Sequence, residues 1–280
     1  MTTSMKNITI QNITIGEKTP LVFFAGPCVI ESRDHTLYMA EAIAKLSEQT
    51  AAPMVFKVSY DKANRSSVKS FRGPGVEEGA RILQEVSSQF NLPVLTDVHA
   101  VWEVEMIAEV ADVLQIPAFL CRQTDLVIAI AESGRVVNVK KGQFLAPWDI
   151  EQIIHKITTT GNEQILITER GASFGYNNLV SDMRAIPIMK QFGFPVVFDA
   201  THSAQLPGGL GDTTGGMREY IAPVARAAVA AGANAVFMEV HNDVDHAKSD
   251  AATQWPLDKA EALIKQLQKV YAITRELEDL

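Results

Sequence analysis

Eight short apolar runs, separated by stretches of helical spacing, constrain what this chain can fold into more than any other feature. They are Leu21–Gly26, Met54–Ser59, Val94–His99, Val113–Ala118, Val136–Lys140, Ile165–Arg170, Val196–His202 and Ala235–His241. Each is short and rich in β-branched or aromatic residues, which marks a strand. Helix-like segments fall between them, among them Asp34–Gln49, Val76–Phe90, Thr124–Ser133, Ile150–Thr159, Leu179–Gln191 and Met217–Ala231, with a last one from Leu257 to Glu278. Strict alternation of strand and helix calls for a parallel sheet. Eight units is the number that closes an α/β TIM barrel, (β/α)8. An open doubly wound sheet is the rival, but it usually has fewer strands and a glycine-rich first turn, which GPCVIES is not.

The chain has 280 residues, enough for one barrel of about 250 residues with a short extension. Residues 1–280 therefore read as a single barrel domain, with residues 1–20 as an N-terminal hairpin extension. Within it NITIQNITIG, residues 7–16, alternates with period two and predicts a hairpin that plugs the bottom of the barrel. Helix-to-strand connections are short and carry turn residues, such as Gly193-Phe194-Pro195 and Gly232-Ala233-Asn234. Strand-to-helix connections are often long and polar, as in Tyr60–Gly75, Ser203–Gly216 and Asn242–Pro256. Barrels of this kind work at the face made by the second set.

Composition removes several function classes. No apolar run approaches the ~20 residues that a bilayer requires, and the first residues lack an export signal's apolar segment and cleavage site. A net charge of −8 speaks against nucleic acid or an anionic membrane as partner. Two cysteines, Cys28 and Cys121, are too few for a disulfide framework and point to a reducing cytoplasm.

Nearly every predicted strand ends in a reactive or charged side chain: Cys28, Lys57 and Ser59, Asp97 and His99, Gln115, Lys140, Glu169 and Arg170, Asp199 and His202, Glu239 and His241. A ring of Lys57, Lys62, Lys140 and Arg170 at one mouth repels itself and requires an anion. Phosphate or carboxylate suits it, Arg170 being able to bind either through two parallel hydrogen bonds. The alternative is internal pairing with Asp97 and Glu169. Barrel closure also makes strand eight the neighbour of strands seven and one, bringing Cys28, His202 and Glu239 together. A thiolate, an imidazole and a carboxylate suit zinc, iron or manganese, and Asp250 in the polar Lys248–Ala251 turn offers a fourth ligand. Cys28 as a mere buried hydrophobe is the competing reading, as solvent-facing or core roles are for His99, His241 and His246. The loop Asp61–Ser67 has the charge and short donors of a phosphate clamp. Pro207–Gly216 is either a mobile lid or a long connector.

The motifs GPCVIES, FKVSYDKANRSS, FRGPG, LTDVH, QIPAFLCRQTDL, NVKKGQFLAPWD, TERGASFGYNNLV, FDATHSAQLPGG and FMEVH closely resemble those of the 3-deoxy-D-manno-octulosonate 8-phosphate synthase family, in order from about Ala25 to Pro256. The related heptulosonate 7-phosphate synthases, which use erythrose 4-phosphate, have a different loop where this chain has Lys62–Ser67. The resemblance implies condensation of phosphoenolpyruvate with arabinose 5-phosphate for lipopolysaccharide biosynthesis. It implies a divalent metal held by Cys28, His202, Glu239 and Asp250, since metal-independent members carry asparagine at the cysteine. Lys57, Lys62, Gln115, Lys140, Arg170 and His202 would line the phosphoenolpyruvate site, with Ser59 among the substrate-binding residues. Asn64, Arg65 and Ser66 would hold arabinose 5-phosphate. Cys28, Asp97 and His202 would handle protons, Lys62 joining them as a catalytic cation. A homotetramer is implied as well. A metal-dependent hydrolase barrel would carry a histidine-rich set such as HxH near strand one, which is absent from the sequence. A non-catalytic phosphate-binding barrel is the remaining rival.

Overall fold

Alternation within the eight apolar runs determines how the chain packs. In the computed structural model, which describes residues 4–64, 67–208 and 215–277, they form eight parallel strands: Val22–Gly26, Met54–Lys57, Val94–Asp97, Val113–Ile116, Val136–Lys140, Ile165–Glu169, Val196–Asp199 and Ala235–His241. Each pairs with the next, and the eighth pairs with both the seventh, through Val197 and Ala235, and the first, through Ala235 and Val22. The sheet closes into a barrel. Several strands stop two or three residues short of the predicted ends, because ladder pairing gives way to loops at the rim; His202 begins a short helical turn instead.

Phe23, Met54, Phe56, Leu114, Val137, Ile165, Ile167 and Phe198 point outward into one apolar cluster with the helices. Val22, Phe24, Val55, Leu95, Val113, Val136, Leu166, Val197, Ala235 and Phe237 point inward into another. The inner cluster also contains Ile8, Ile10, Ile13 and Ile15, from the antiparallel hairpin Ile8–Ile10 and Ile13–Ile15. The hairpin is therefore the barrel's plug, as its period of two predicts.

The outer layer is helices α1 (Arg33–Thr50), α2 (Val76–Phe90), α3 (Val104–Val110), α4 (Thr124–Glu132), α5 (Ile150–Thr158), α6 (Ala185–Lys190), α7 (Ile221–Ala230) and α8 (Ala260–Glu276). Ser32 caps α1 by accepting the His35 N–H, and α2 ends at Asn91 in the left-handed conformation, just before Pro93. Helix α3 was not among the helix-like segments expected. The segment expected as one helix from Leu179 to Gln191 divides: Leu179–Val180 pairs with Ala172–Ser173 as a small ribbon, and α6 begins only at Ala185. Pro187 lacks an N–H to donate, so the helix starts just before it, with Asp182 Oδ1 accepting the Arg184 N–H at 3.0 Å.

Candidate active site

The period of two that packs the barrel also builds its mouth. Two residues beyond the inward-facing Val55, Leu95, Val113, Leu166, Val197 and Phe237 stand Lys57, Asp97, Gln115, Thr168, Asp199 and Glu239, all buried. The same parity carries Val136 to Asn138 and Lys140, and Thr168 to Arg170. Above this layer lies a cavity of about 550 Å³ at the strand-to-helix face, whose walls include Lys57, Lys62, Asn64, Asp97, Gln115, Lys140, Arg170, Asp199, His202 and Asp250. That volume suits small-molecule substrates. Arg65 and Ser66 lie outside the described residues, as does the middle of the Pro207–Gly216 loop.

The cations do not simply repel one another. Lys57 Nζ lies 2.6 Å from Glu239 Oε1 and donates to the Cys28 carbonyl at 3.1 Å. Lys62 Nζ is 3.8 Å from the same Glu239 oxygen and donates to Ser59 Oγ at 2.9 Å. Ser59, itself fully buried, bonds to Asp97. Lys140 pairs with Asp199 and sits 3.1 Å from the centroid of the Phe237 ring. Internal pairing, the alternative reading, therefore holds for Lys57, Lys62 and Lys140, but its partners are corrected from Asp97 and Glu169 to Glu239 and Asp199. Glu169 has outward parity, and its Oε2 lies 3.5 Å from Lys141 outside the barrel wall.

Arg170 is different. It is buried, and its guanidinium donates to Gln205 Oε1 at 2.8 Å and Gln143 Oε1 at 3.4 Å. Among the described residues no carboxylate forms an ion pair with it. Two neutral amides leave a buried charge short of compensation.

Electrostatics follow from this layout. Burial pushes the Lys140 ammonium down to about 8, Asp199 opposing it and Lys57 and Arg170 adding to it. Burial would raise the Asp97 carboxyl, but Lys62, His99, Lys57 and the Ser59 hydrogen bond hold it at about 2. Burial acts the same way on Glu239 and is outweighed by Lys57, His202 and Lys62. The Cys28 thiol is pushed well up, first by burial and then by Glu239.

One ligand atom each from Cys28, Glu239 and Asp250 lies within 4.8 Å of the others. His202 Nε2 is 3.6 Å from Glu239 Oε1 and 3.7 Å from Asp250 Oδ2. Glu239 Oε2 is buried without a hydrogen-bond partner, which is what an acceptor awaiting a cation looks like. On its other side His202 Nδ1 faces Asp199 Oδ2 at 2.8 Å, though without hydrogen-bond alignment. A carboxylate behind an imidazole is the usual support of a ligating histidine. The four donors mix sulfur, nitrogen and oxygen, which fits a transition metal better than magnesium or calcium.

Asp199 as support, Gln143 and Gln205 as partners of Arg170, and Ser249, whose hydroxyl accepts from Cys28 Sγ at 2.9 Å, were not assigned roles from sequence. Asp199 shares the inward parity and was findable; neutral residues in long loops carry no such signal. A second hollow, of about 640 Å³, lies between α3 and α4 and is lined by Glu105, Glu109, Glu132 and Arg135. It contains none of the strand-end side chains.

Fold and mouth together define a (β/α)8 barrel with an anion-seeking cavity beside four metal-competent side chains. The chain belongs to the DAHP synthetase I family, whose profile matches residues 3–276. It is 55% identical over 271 residues to a 2-dehydro-3-deoxyphosphooctonate aldolase of Geotalea daltonii, covering 97% of this chain and 100% of the relative. Relatives of the same name from Geobacter metallireducens and Geobacter sulfurreducens are 56% and 55% identical over 270 residues, each covering 96% of this chain and 99% of the relative.

Proposed function

We propose that this chain is an enzyme that condenses phosphoenolpyruvate with D-arabinose 5-phosphate and water, giving 3-deoxy-D-manno-octulosonate 8-phosphate and inorganic phosphate. The name shared by its near full-length relatives supports the reaction. The observation that carries it in the geometry is Arg170, a buried cation whose hydrogen-bond partners are both neutral, facing a cavity that Lys57, Lys62 and Lys140 also line. An anion bearing phosphate and carboxylate, as phosphoenolpyruvate does, supplies the missing charge.

In the reaction, carbon 3 of phosphoenolpyruvate bonds to the aldehyde carbon while water adds at carbon 2. The resulting hemiketal phosphate loses inorganic phosphate by C–O cleavage. Cys28, His202, Glu239 and Asp250 would hold a divalent ion, zinc, iron or manganese, supplying Lewis acidity for the aldehyde oxygen. Lys57, Lys62, Gln115, Lys140 and Arg170 bind and orient phosphoenolpyruvate, and their fixed charges stabilise the transition state without reorganisation. Asn64, Arg65 and Ser66 hold arabinose 5-phosphate. With Cys28 and His202 engaged as ligands, Asp97 is the ionised group left to take a proton, and Ser59 links it to Lys62. The whole chain works as one domain in a homotetramer. Exposed Phe119, Phe144, Phe174 and Tyr176 on the loops of the catalytic face are a surface for neighbouring subunits.

Phosphate release from phosphoenolpyruvate, assayed with arabinose 5-phosphate or erythrose 4-phosphate, tests the reading. Release with arabinose 5-phosphate alone supports it; a preference for erythrose 4-phosphate points to heptulosonate chemistry. Release that needs no sugar phosphate contradicts both.

A further inference from the structure

We infer that Glu31 is a positioning residue that ties together the three chain segments presenting Cys28, Glu239 and Asp250. The inference rests on these side chains being the proposed metal ligands. Glu31 stands three residues after Cys28. Its Oε1 accepts the backbone N–H of Lys248 at 2.8 Å, two residues before Asp250, and Lys248 Nζ returns to the Glu31 carbonyl at 3.3 Å. The same Oε1 lies 3.3 Å from Nε2 of His241, two residues after Glu239. One carboxylate thus touches the loop after strand one, the end of strand eight and the loop that follows it.

The surroundings are built for that task. His241 is buried, and its Nδ1 accepts the Asp243 N–H at 2.9 Å. With Nδ1 accepting, the ring N–H lies on Nε2, which faces Glu31 Oε1 at 3.3 Å without hydrogen-bond alignment. His35 Nε2 lies 2.9 Å from Asn242 Oδ1, and its ring centroid is 4.7 Å from that of His241, so α1 walls the cluster on its outer side. Glu31, His35 and His241 have the residue types of a second metal centre and approach within 4.8 Å. A His241 nitrogen that keeps its proton has no lone pair for an ion, so the cluster reads as a latch and not as a ligand set. A latch is useful here: Cys28, Glu239 and Asp250 come from three separate segments, and the loop carrying Asp250 rejoins the barrel ladder only at Trp255–Pro256, which pairs with Val240–His241. Groups that orient ligands in this way typically change metal affinity by ~10–100-fold.

The test uses the full chain stripped of metal, with cobalt(II) as probe and its thiolate charge-transfer band as the signature of Cys28 ligation. Glu31→Ala is expected to weaken cobalt affinity by ~10–100-fold and to speed amide exchange at Lys248. Glu31→Gln keeps an acceptor for the Lys248 N–H and is expected to fall between Glu31→Ala and wild type, a readout that stands even if Glu31→Ala does not fold. Wild-type cobalt affinity and band in these variants overturn the inference alone. A wild-type chain that takes up no cobalt overturns the metal reading, and the inference with it.

Discussion

Lys57 and Glu239 meet at 2.6 Å with both side chains closed to solvent, while the second oxygen of Glu239 has no partner. The carboxylate is shared between the Lys57 side chain and the position of the proposed metal. Glu239→Gln removes both functions and leaves the Lys57 ammonium buried with no full charge against it. Breaking such a pair from one side costs about 3–5 kcal/mol, which denaturant unfolding of the metal-free chain will register, together with loss of metal binding. A metal-free stability within 1 kcal/mol of wild type would contradict the central place given to this pair.

Arg170 carries the anion in this reading. Arg170→Gln removes the charge, and Arg170→Lys keeps it but forfeits the planar two-point donor. Charge-assisted hydrogen bonds are worth about 1.5–3 kcal/mol, so KM for phosphoenolpyruvate should rise ~10–100-fold in both. The KM for arabinose 5-phosphate should move much less. Steady-state kinetics with each substrate varied in turn decides the matter, and equal shifts in both KM values would count against the assignment.

Lys140 sets a pH limit. Burial holds its ammonium at about 8, below the ordinary lysine value of 10.5, so in the free chain it loses its proton as pH rises through about 8. Anion binding requires the protonated form, so kcat/KM for phosphoenolpyruvate should fall by about tenfold per unit on the alkaline side. Lys140→Arg, which stays charged, should flatten that limb. The linked stability effect runs the other way. Between about 8 and 10.5 the unfolded chain binds a proton that the folded one does not, so without an anion Lys140 makes folding more favourable as pH climbs through that window.

Most of the fold was legible because a closed barrel obeys two periods at once, a period of two along each strand and strand–helix alternation along the chain. The same parity separates useful from misleading strand-end residues. Lys57, Asp199 and Glu239 share the inward parity of Val55, Val197 and Phe237. Glu169 and Lys141 share the outward parity of Ile167 and Val139 and pair outside the wall. Reading the strand ends as one ring without that division offered Glu169 as a partner to cations on the other side of the wall. Helix α3 escaped because Val104–Val110 spans only seven residues, two turns, too few for helical spacing to stand out from its β-branched content. Gln143, Gln205 and Glu31 act through loop geometry, and no spacing rule brings them beside Arg170 or Lys248.

The hairpin plug yields a prediction at the opposite end of the molecule. Ile8 and Ile15 are fully buried against the lowest inward layer of the barrel. Ile8→Ala should cost about 2–5 kcal/mol in unfolding free energy, while turnover at 25 °C stays near wild type because the mouth is untouched. Thermal unfolding and kcat measured on the same preparation test this; a large loss of kcat without loss of stability would show that the bottom face does more than close the core.

The most direct measurement is metal content and turnover on the same chelator-treated sample. Turnover with phosphoenolpyruvate and arabinose 5-phosphate should vanish as a single equivalent of divalent metal is removed, return in proportion as one equivalent is restored, and fail to return in Cys28→Ala. Undiminished turnover in protein shown to be metal-free would contradict the joining of the Cys28, His202, Glu239 and Asp250 set to the anion cavity in one reaction.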